Sequence, residues 1–286
     1  MAWIERKLTP RVGLALEGFK VDEGLTETEL GRIRAAAYEH GVVLLPGQAL
    51  DDDAMFAFAE AIGEVVLPPN VSGVPASRVL ALTNLDEKGN LRPAGDVWVK
   101  RNQQNTLWHA DLTFMRPRAA IGMLYGRTVV SDGGNTEICD MRLAWEALPP
   151  DEQAALEPLI ARHSLWLSRR KYGDDKSFSF SEEDVRRYPP VERPLVDIHR
   201  PTGRKALMLG ANIASIGDLD EIESVAFLDA LTERATAPEF VYSHRWTAGD
   251  LLLWDNRCMM HRVSPYDTAT QPRDMRAIRL FEAADA

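Results

Sequence analysis

The C-terminal part of the chain constrains the fold most, because it is a succession of short apolar runs separated by turn residues. Between residues 239 and 283 the runs are EFVYSHRW, DLLLWDN, MMHRVSPY and MRAIRLFEA, and Gly249 with Asp250 marks one of the turns. Short strands at this spacing are typical of an antiparallel sandwich or barrel. The chain lacks the regular alternation of strand and helix that builds a doubly wound parallel sheet.

Helices are predicted mainly outside this region. Residues 26–40 favour a helix that opens with a capping box of Thr26 and Glu29 and stops at Gly41. Further helices are predicted over residues 51–63, 142–163 (interrupted at Pro149 and Pro150) and 220–234, and strands over VVLLP and the start of RVLALTNLDEKGN. The pattern predicts a mainly β fold with peripheral helices, forming a single domain over residues 1–286.

The acidic composition narrows the function classes. Of 286 residues, 43 are Asp or Glu and 33 are Lys or Arg, which gives a formal net charge of -10. A nucleic-acid partner would need a basic surface and is not expected, whereas local arginines can still bind a small anionic substrate. The two cysteines form no CxxC pair and no apolar run is long enough to span a bilayer, so we expect a cytoplasmic protein without a membrane partner.

The segment TLWHADLTF, residues 106–114, places His109 and Asp111 two residues apart. In a strand, residues i and i+2 point to the same face, so this pair would suit two adjacent ligands of one metal ion. The ordinary alternative is a polar pair on a strand surface, and spacing alone does not decide between the two.

A metal site needs a third ligand from elsewhere in the chain. The remaining histidines are His40, His163, His199, His244 and His261. His261 is favoured because it lies in the strand-rich C-terminal part. Two histidines and one carboxylate form a facial triad, which points to non-haem Fe(II) rather than to structural zinc.

Three ordered motifs, LWHADLTF, SDGGNTEICDMRLAWEALP and GDLLLWDNRCMMHRVSPYD, resemble the TauD/TfdA family of Fe(II)/2-oxoglutarate-dependent dioxygenases. Within that family, GGNTEICDMR and WDNRCMMHR are most similar to the aryloxyalkanoate (phenoxy-herbicide) dioxygenases. The resemblance covers most of the chain. It implies a double-stranded β-helix, or jelly roll, with extra helices. Because relatives are often oligomeric, the chain could also form a homo-oligomer.

The resemblance also implies residue roles. His109, Asp111 and His261 match the iron ligands. Thr136 and Arg273 match the two residues that hold the distal carboxylate of 2-oxoglutarate, which agrees with the chemistry of a hydroxyl donor and a planar guanidinium. The implied cofactors are Fe(II), 2-oxoglutarate as co-substrate, and O₂.

The implied substrate is an aryloxyalkanoate, hydroxylated at the carbon next to its carboxylate so that the ether collapses to a phenol and glyoxylate or pyruvate. Many relatives carry a substrate-binding Arg four residues after the position of Arg273, where this chain has Ala277. The same chemistry on an alkylsulfonate such as taurine, or on another small carboxylate, therefore stays open. Arg279 shares a strand face with Arg273, so we expect it either to bind the substrate anion or to form an ion pair on the barrel.

Residues 93–104 precede the His-x-Asp segment and are predicted to be a loop that could serve as a lid. Trp98 or Val99 is expected against the aromatic ring of the substrate, and Lys100 is a weaker candidate for its anion. The irregular stretch RRKYGDDKSFSFSEED is a second candidate lid.

Two other functional classes would account for fewer of the residues singled out above. A zinc hydrolase could use the same three ligands, but it would need neither Thr136 nor Arg273. A non-catalytic jelly-roll binding protein would not need a complete triad.

Overall fold

The computed structural model of the protein describes residues 3–67, 77–93, 95–166 and 181–281. Residues 169–180 of the second candidate lid lie outside this described part. No helix within it combines the length and the apolar character that crossing a membrane requires.

Strands dominate the described residues and form one large sheet and three small ones. The strands are β1 (Ile4–Lys7), β2 (Leu14–Glu17), β3 (Val42–Leu45), β4 (Leu80–Thr83), β5 (Ala119–Thr128), β6 (Thr136–Asp140), β7 (Ile160–His163), β8 (Val191–Pro194), β9 (Val196–His199), β10 (Arg204–Leu207), β11 (Ile213–Ile216), β12 (Val241–His244), β13 (Leu251–Asp255), β14 (Met259–Val263) and β15 (Asp274–Phe281). The large sheet has the order β1-β2-β3-β13-β5-β15-β4, and all its pairs are antiparallel except β2 with β3.

The smaller sheet that matters for function has the order β12-β6-β14, with both pairs antiparallel. It shares one apolar core with the large sheet: Leu124, Leu252 and Ala277 of the large sheet belong to the same buried cluster as Ile138 and Met260 of the small one. Two further small sheets, β11-β7-β8 and β10-β9, extend this side. The prediction of a mainly β fold is confirmed, including the four C-terminal strands.

The described helices are α1 (Glu27–His40), α2 (Asp52–Ile62), α3 (Val97–Gln103), α4 (Met141–Glu146), α5 (Pro150–Leu156), α6 (Glu182–Arg187) and α7 (Glu221–Ala235), with 3-10 turns at Val21–Glu23, Gln104–Thr106 and Pro238–Phe240. The capping box of Thr26 and Glu29 is present, and Gly41 ends α1 with a positive φ of 75°. Helices α1 and α2 pack on the large sheet around Ile33, Met55 and Leu253.

Three local predictions are wrong. The lead-in 93–104 contains helix α3 rather than only a loop, because the Asp96 carboxylate accepts a hydrogen bond from the Trp98 N–H and so caps a helix start. The segment 142–163 is helical only in α4 and α5; it ends as β7, whose alternating exposed and buried residues are typical of a strand. The segment TLWHADLTF forms a single bridge at His109 and then a turn, not a strand.

Candidate active site

His109, Asp111 and His261 come together at one end of the shared core. The Nε2 atom of His109 lies 4.0 Å from Oδ1 of Asp111, and Nε2 of His261 lies 3.7 Å from Oδ2. One potential ligand atom from each residue lies within 4.8 Å of the others. The structure therefore assembles the three residues that the sequence singled out, although Asp111 does not reach the cluster by the strand geometry that was expected.

The two histidines are fixed by an isolated antiparallel bridge. The His109 N–H donates to the His261 carbonyl at 3.0 Å, and the His261 N–H donates to the His109 carbonyl at 2.8 Å. The Nδ1 atom of His109 lies 2.7 Å from the Leu107 carbonyl oxygen, which can only accept a hydrogen bond. Nδ1 must therefore carry the proton, and Nε2 keeps the lone pair that a metal ion needs.

Asp111 is held by the side chain of Asn256, which sequence reasoning missed. The Asn256 carboxamide accepts from the Asp111 N–H at 2.7 Å and donates to the Asp111 carbonyl at 2.8 Å, in place of a neighbouring strand. The next residue, Leu112, has a φ of 54°, in the left-handed region that costs a branched side chain energy. This turn is what carries the Asp111 carboxylate to the two histidines.

Gly210 allows the chain to approach His109 closely. Its φ is 121°, and a Cβ at this position would lie 2.9 Å from the His109 Cα. The Ala211 N–H donates to the Trp108 carbonyl beside it. Only glycine fits here without moving the backbone of the histidine.

Charge compensation keeps Asp111 ionised although it is buried. Burial alone would raise the pKa of this carboxyl, but Arg279, His261 and His109 together hold it well below its usual range. Nε of Arg279 donates to Oδ2 at 3.0 Å and its Nη2 to Oδ1 at 3.2 Å. Burial, His109 and Arg279 also hold the pKa of His261 well below its ordinary value, so its imidazole is neutral near pH 7. A neutral imidazole and a carboxylate are the protonation states that bind a metal ion.

The chemistry of this donor set fits Fe(II). Two imidazoles and one carboxylate on one side of an ion are the facial arrangement of non-haem iron sites. The buried Nδ1 of His261 has no hydrogen-bond partner in the described structure.

A second cluster of potential ligands, His199, Asp255 and Cys258, has a different character. The Asp255 carboxylate already accepts hydrogen bonds from His199 and from Arg257, at 2.9 Å and 2.7 Å. Burial raises the pKa of the Cys258 thiol well above its usual value, which disfavours the thiolate that binds metals. This group is a saturated buried network that anchors the start of β14.

A cavity of about 220 Å³ opens beside the three-residue cluster. His109 and His261 form part of its wall, as do Thr136, Arg273 and Arg279. Leu82, Val99, Leu124 and Ala277 make another part of the wall apolar. The cavity thus combines residues of the His-Asp-His cluster, three arginines (Arg262, Arg273 and Arg279) and a hydrophobic surface.

Arg273 stands out among the buried arginines by its partners. Arg142 and Arg257 are also buried, and each is paired with a carboxylate at 2.8 Å or less. Arg273 is 7% exposed, donates to the Gly134 carbonyl at 3.4 Å and lies 5.6 Å from the Tyr266 ring. Among the described residues it has no carboxylate partner, and burial lowers its pKa. A buried guanidinium in this state favours the binding of an anion.

Thr136 lies on β6 and faces the same cavity as Arg273. Its Oγ1 accepts a hydrogen bond of 3.0 Å from the indole Nε1 of Trp246, a residue that sequence reasoning did not single out. Asn84 also supports this region, because its carboxamide accepts from the Arg273 N–H at 2.8 Å. No short sequence motif joins these residues.

The proposed substrate-binding residues are placed differently from one another. Arg279 lines the cavity but also forms the ion pair with Asp111, a partner that the sequence did not suggest. Val99 of α3 lines the described cavity, whereas Trp98 and Lys100 of the same helix are not part of that lining. Contact of Trp98 and Lys100 with a substrate stays a prediction.

Comparison with known proteins agrees with this geometry. Residues 5–279 match the family model described as Taurine catabolism dioxygenase TauD, TfdA family. The chain is 36% identical, over 99% of both sequences, to an alpha-ketoglutarate-dependent 2,4-dichlorophenoxyacetate dioxygenase of Cupriavidus pinatubonensis. It is also 36% identical to an (S)-phenoxypropionate/alpha-ketoglutarate-dioxygenase of Sphingobium herbicidovorans, over 85% of this chain and 83% of that protein.

A solved structure shows the same fold. The crystal structure of AAD-2 in complex with Mn(II) and N-oxalylglycine superposes with a TM-score of 0.89 at 32% identity, covering 99% of this chain and 98% of that one. Sequence match, fold and the His-Asp-His cluster coincide over nearly the whole chain. The protein therefore belongs to the TauD/TfdA family of Fe(II)- and 2-oxoglutarate-dependent dioxygenases.

Proposed function

We propose that the protein hydroxylates an aryloxyalkanoate at the carbon next to the carboxylate, so that its ether bond is cleaved. The observation that carries this proposal is the cavity, whose lining includes a cation, Arg279, and an apolar wall next to His109 and His261. A substrate with a carboxylate at one end and an aromatic ring at the other matches both features. The activities of the two relatives described above support the same substrate class.

The proposal includes the architecture and the ligand roles. The seven-stranded sheet and the β12-β6-β14 sheet would be the two walls of a double-stranded β-helix, formed by one domain over residues 1–286, because they share one core and hold the site at its end. His109, Asp111 and His261 would bind Fe(II). Fe(II) with 2-oxoglutarate and O₂ supplies an oxidant for C–H bonds, while 2-oxoglutarate is converted to succinate and CO₂.

Arg273 and Thr136 would hold the distal carboxylate of 2-oxoglutarate. The guanidinium supplies a buried positive charge with no acidic partner in the described part of the chain, and the hydroxyl supplies a further donor. Charge-assisted hydrogen bonds of this kind fix both the position and the orientation of a carboxylate.

Arg279 would bind the substrate carboxylate while it holds Asp111. Its Nε and Nη2 atoms are engaged by the two oxygens of Asp111, and its Nη1 makes no hydrogen bond to any described residue. Ala277 lies on the same strand face between Arg273 and Arg279, and its small side chain leaves space between the two guanidinium groups. An anion held at Nη1 would bring its α-carbon next to the metal ligand Asp111.

The net reaction consumes one 2-oxoglutarate and one O₂ and forms one succinate and one CO₂. One oxygen atom enters succinate, and the other becomes the hydroxyl on the substrate α-carbon. The product is a hemiacetal, whose C–O bond to the aryl oxygen breaks as the hydroxyl proton leaves. Phenoxyacetate would give phenol and glyoxylate, and a 2-phenoxypropionate would give phenol and pyruvate.

Succinate release by the Fe(II)-loaded protein in air tests the substrate class. The panel is phenoxyacetate, the two enantiomers of 2-phenoxypropionate, and taurine. Succinate that rises above the substrate-free rate only with the aryloxy acids is the expected result. Succinate that rises with taurine instead would replace the substrate by an alkylsulfonate, and no rise with any of them would overturn the aryloxyalkanoate assignment.

A further inference from the structure

The hydroxyl of Thr136 is oriented by a neighbour that lies behind the cavity. The Trp246 Nε1 atom lies 3.0 Å from Oγ1, and both side chains are buried, with exposures of 8% and 2%. An indole N–H can only donate, so Thr136 must be the acceptor in this bond. The direction of the bond is therefore fixed by the chemistry of the pair.

The hydrogen bond from Trp246 restricts the direction in which the single proton of the Thr136 hydroxyl can point. One lone pair of Oγ1 is occupied by the indole, and the proton must donate in another direction. No described residue accepts it, although the residue lines the cavity. A buried donor without a protein acceptor is costly unless a ligand accepts from it.

Trp246 is itself held from several sides. His244 meets the indole edge to face, with ring centroids 4.5 Å apart and planes at 83°. His244 is fixed in turn by the Tyr242 hydroxyl at 2.8 Å and the Asp250 carboxylate at 3.1 Å. Gly126 leaves room for the ring, because a Cβ there would lie 3.1 Å from Trp246 Cε3. The indole N–H thus has a defined position relative to Thr136.

We propose that Trp246 is a positioning residue for 2-oxoglutarate: its N–H turns the Thr136 hydroxyl so that it donates to the distal carboxylate of the co-substrate. The inference rests on the proposed role of Thr136. Trp246 would not touch the co-substrate; it would act by occupying one acceptor direction of Oγ1, so that the hydroxyl proton points away from the indole and can donate into the cavity.

The test is calorimetric titration of 2-oxoglutarate into the Mn(II)-loaded protein, which needs no turnover. Thr136→Val removes the donor, and the Kd is expected to rise by about tenfold to a hundredfold, as for a lost hydrogen bond to a charged group. Trp246→Phe keeps a ring but removes the N–H, and the Kd is expected to rise several-fold. The double variant should bind no more weakly than Thr136→Val alone, because both changes remove the same interaction.

Two controls separate positioning from a general loss of packing. Trp145→Phe makes the same substitution in the same core, away from the cavity, and should leave the Kd unchanged. 2-Oxopentanoate has the same chain length but lacks the distal carboxylate, so Trp246→Phe should not weaken its binding. If Trp246→Phe does not fold, Trp246→Tyr, which also lacks the indole N–H, replaces it.

The outcomes distinguish the proposed role of Thr136 from that of Trp246. If Thr136→Val leaves the Kd of 2-oxoglutarate unchanged, the proposed role of Thr136 itself is wrong. If Thr136→Val weakens binding but Trp246→Phe does not, or if the two effects add, or if 2-oxopentanoate is affected equally, Thr136 keeps its role and the positioning role of Trp246 is overturned.

Discussion

Arg273 and Arg279 show at the residue scale how two identical side chains on one strand face are given different tasks. Arg279 is neutralised by the carboxylate of Asp111, whereas Arg273 is buried without an acidic partner among the described residues. The ion pair could not be read from the sequence, because Asp111 is 168 positions away and reaches Arg279 only through a turn. The absence of a described acidic partner at Arg273 could not be read from the sequence either, because it depends on which residues the fold places around the guanidinium.

Replacing Arg273 by Met should weaken 2-oxoglutarate binding by roughly a hundredfold. This corresponds to about 3 kcal/mol, the expected cost of losing two charge-assisted hydrogen bonds. Calorimetry on the Mn(II)-loaded protein measures this, and affinity for the metal itself should change little. Arg276→Met is the matched control, since Arg276 lies on the same strand but pairs with Asp52 and Asp274. An equal loss in both variants would contradict the assignment.

Replacing Arg279 by Met should raise the KM for an aryloxyalkanoate by roughly tenfold to a hundredfold, as expected for the loss of a charged hydrogen-bond donor. The Kd of 2-oxoglutarate should stay close to the wild-type value, because Arg273 and Thr136 are untouched. Arg279→Lys should recover part of the substrate affinity. A wild-type KM in Arg279→Met would show that the guanidinium serves only Asp111.

His163 contributes a pH dependence of stability that does not involve the metal. Burial, Arg193 and Arg118 lower its pKa from 6.5 to about 3 in the folded protein. Between these two values the unfolded chain binds more protons, so the free energy of unfolding falls as the pH drops below about 6.5. Urea unfolding between pH 7 and pH 4 should show a shallower loss for His163→Gln, which can keep a hydrogen bond to Thr113. Parallel curves for the two proteins would be inconsistent with this.

At the scale of elements, the sequence was most informative where local rules decide. The capping box of α1, the helix predicted over residues 51–63 and the C-terminal strands are all present. The error at the His-x-Asp segment lies where a distant side chain replaces a regular strand partner. Asn256 satisfies the backbone of Asp111, so the His-x-Asp segment can leave the strand conformation and still be held.

The pairing of β5 with β13 contains a close approach that should be sensitive to one methyl group. A Cβ on Gly122 would lie 2.3 Å from Cε2 of Trp254, whose ring packs 4.5 Å from that of His261. Gly122→Ala should lower the free energy of unfolding by about 1–3 kcal/mol, the usual cost of overpacking a core. It should also weaken metal binding, because the displaced indole presses on a ligand.

Chemical unfolding and metal titration measure the two effects of Gly122→Ala. Gly31→Ala is the control, since it lies in α1 with only ordinary contact to Arg34 and should stabilise the protein by about 0.4–1 kcal/mol. Unchanged stability in Gly122→Ala would mean that the sheet accommodates the methyl group.

At the scale of the whole molecule, the site is assembled from separate parts of the chain. His109, the start of β6, strand β14, and residues in β15 and just before it meet at one cavity. Motif resemblance predicted the ligand set and the cofactors, because those residues carry the chemistry. It did not predict Trp246 or Asn256, whose importance lies in hydrogen bonds across 110 and 145 positions. Such hydrogen-bond partners come together only when the sheets pack around one core, so a short sequence motif does not reveal them.

The most direct test of the central claim is the stoichiometry of phenol and succinate during turnover of a phenoxy acid by the Fe(II)-loaded protein. We expect O₂-dependent release of one phenol per succinate, and loss of both products in Asp111→Ala. Succinate without phenol would contradict ether cleavage while leaving the oxygenase chemistry in place. Phenol without succinate or 2-oxoglutarate would contradict the account as a whole.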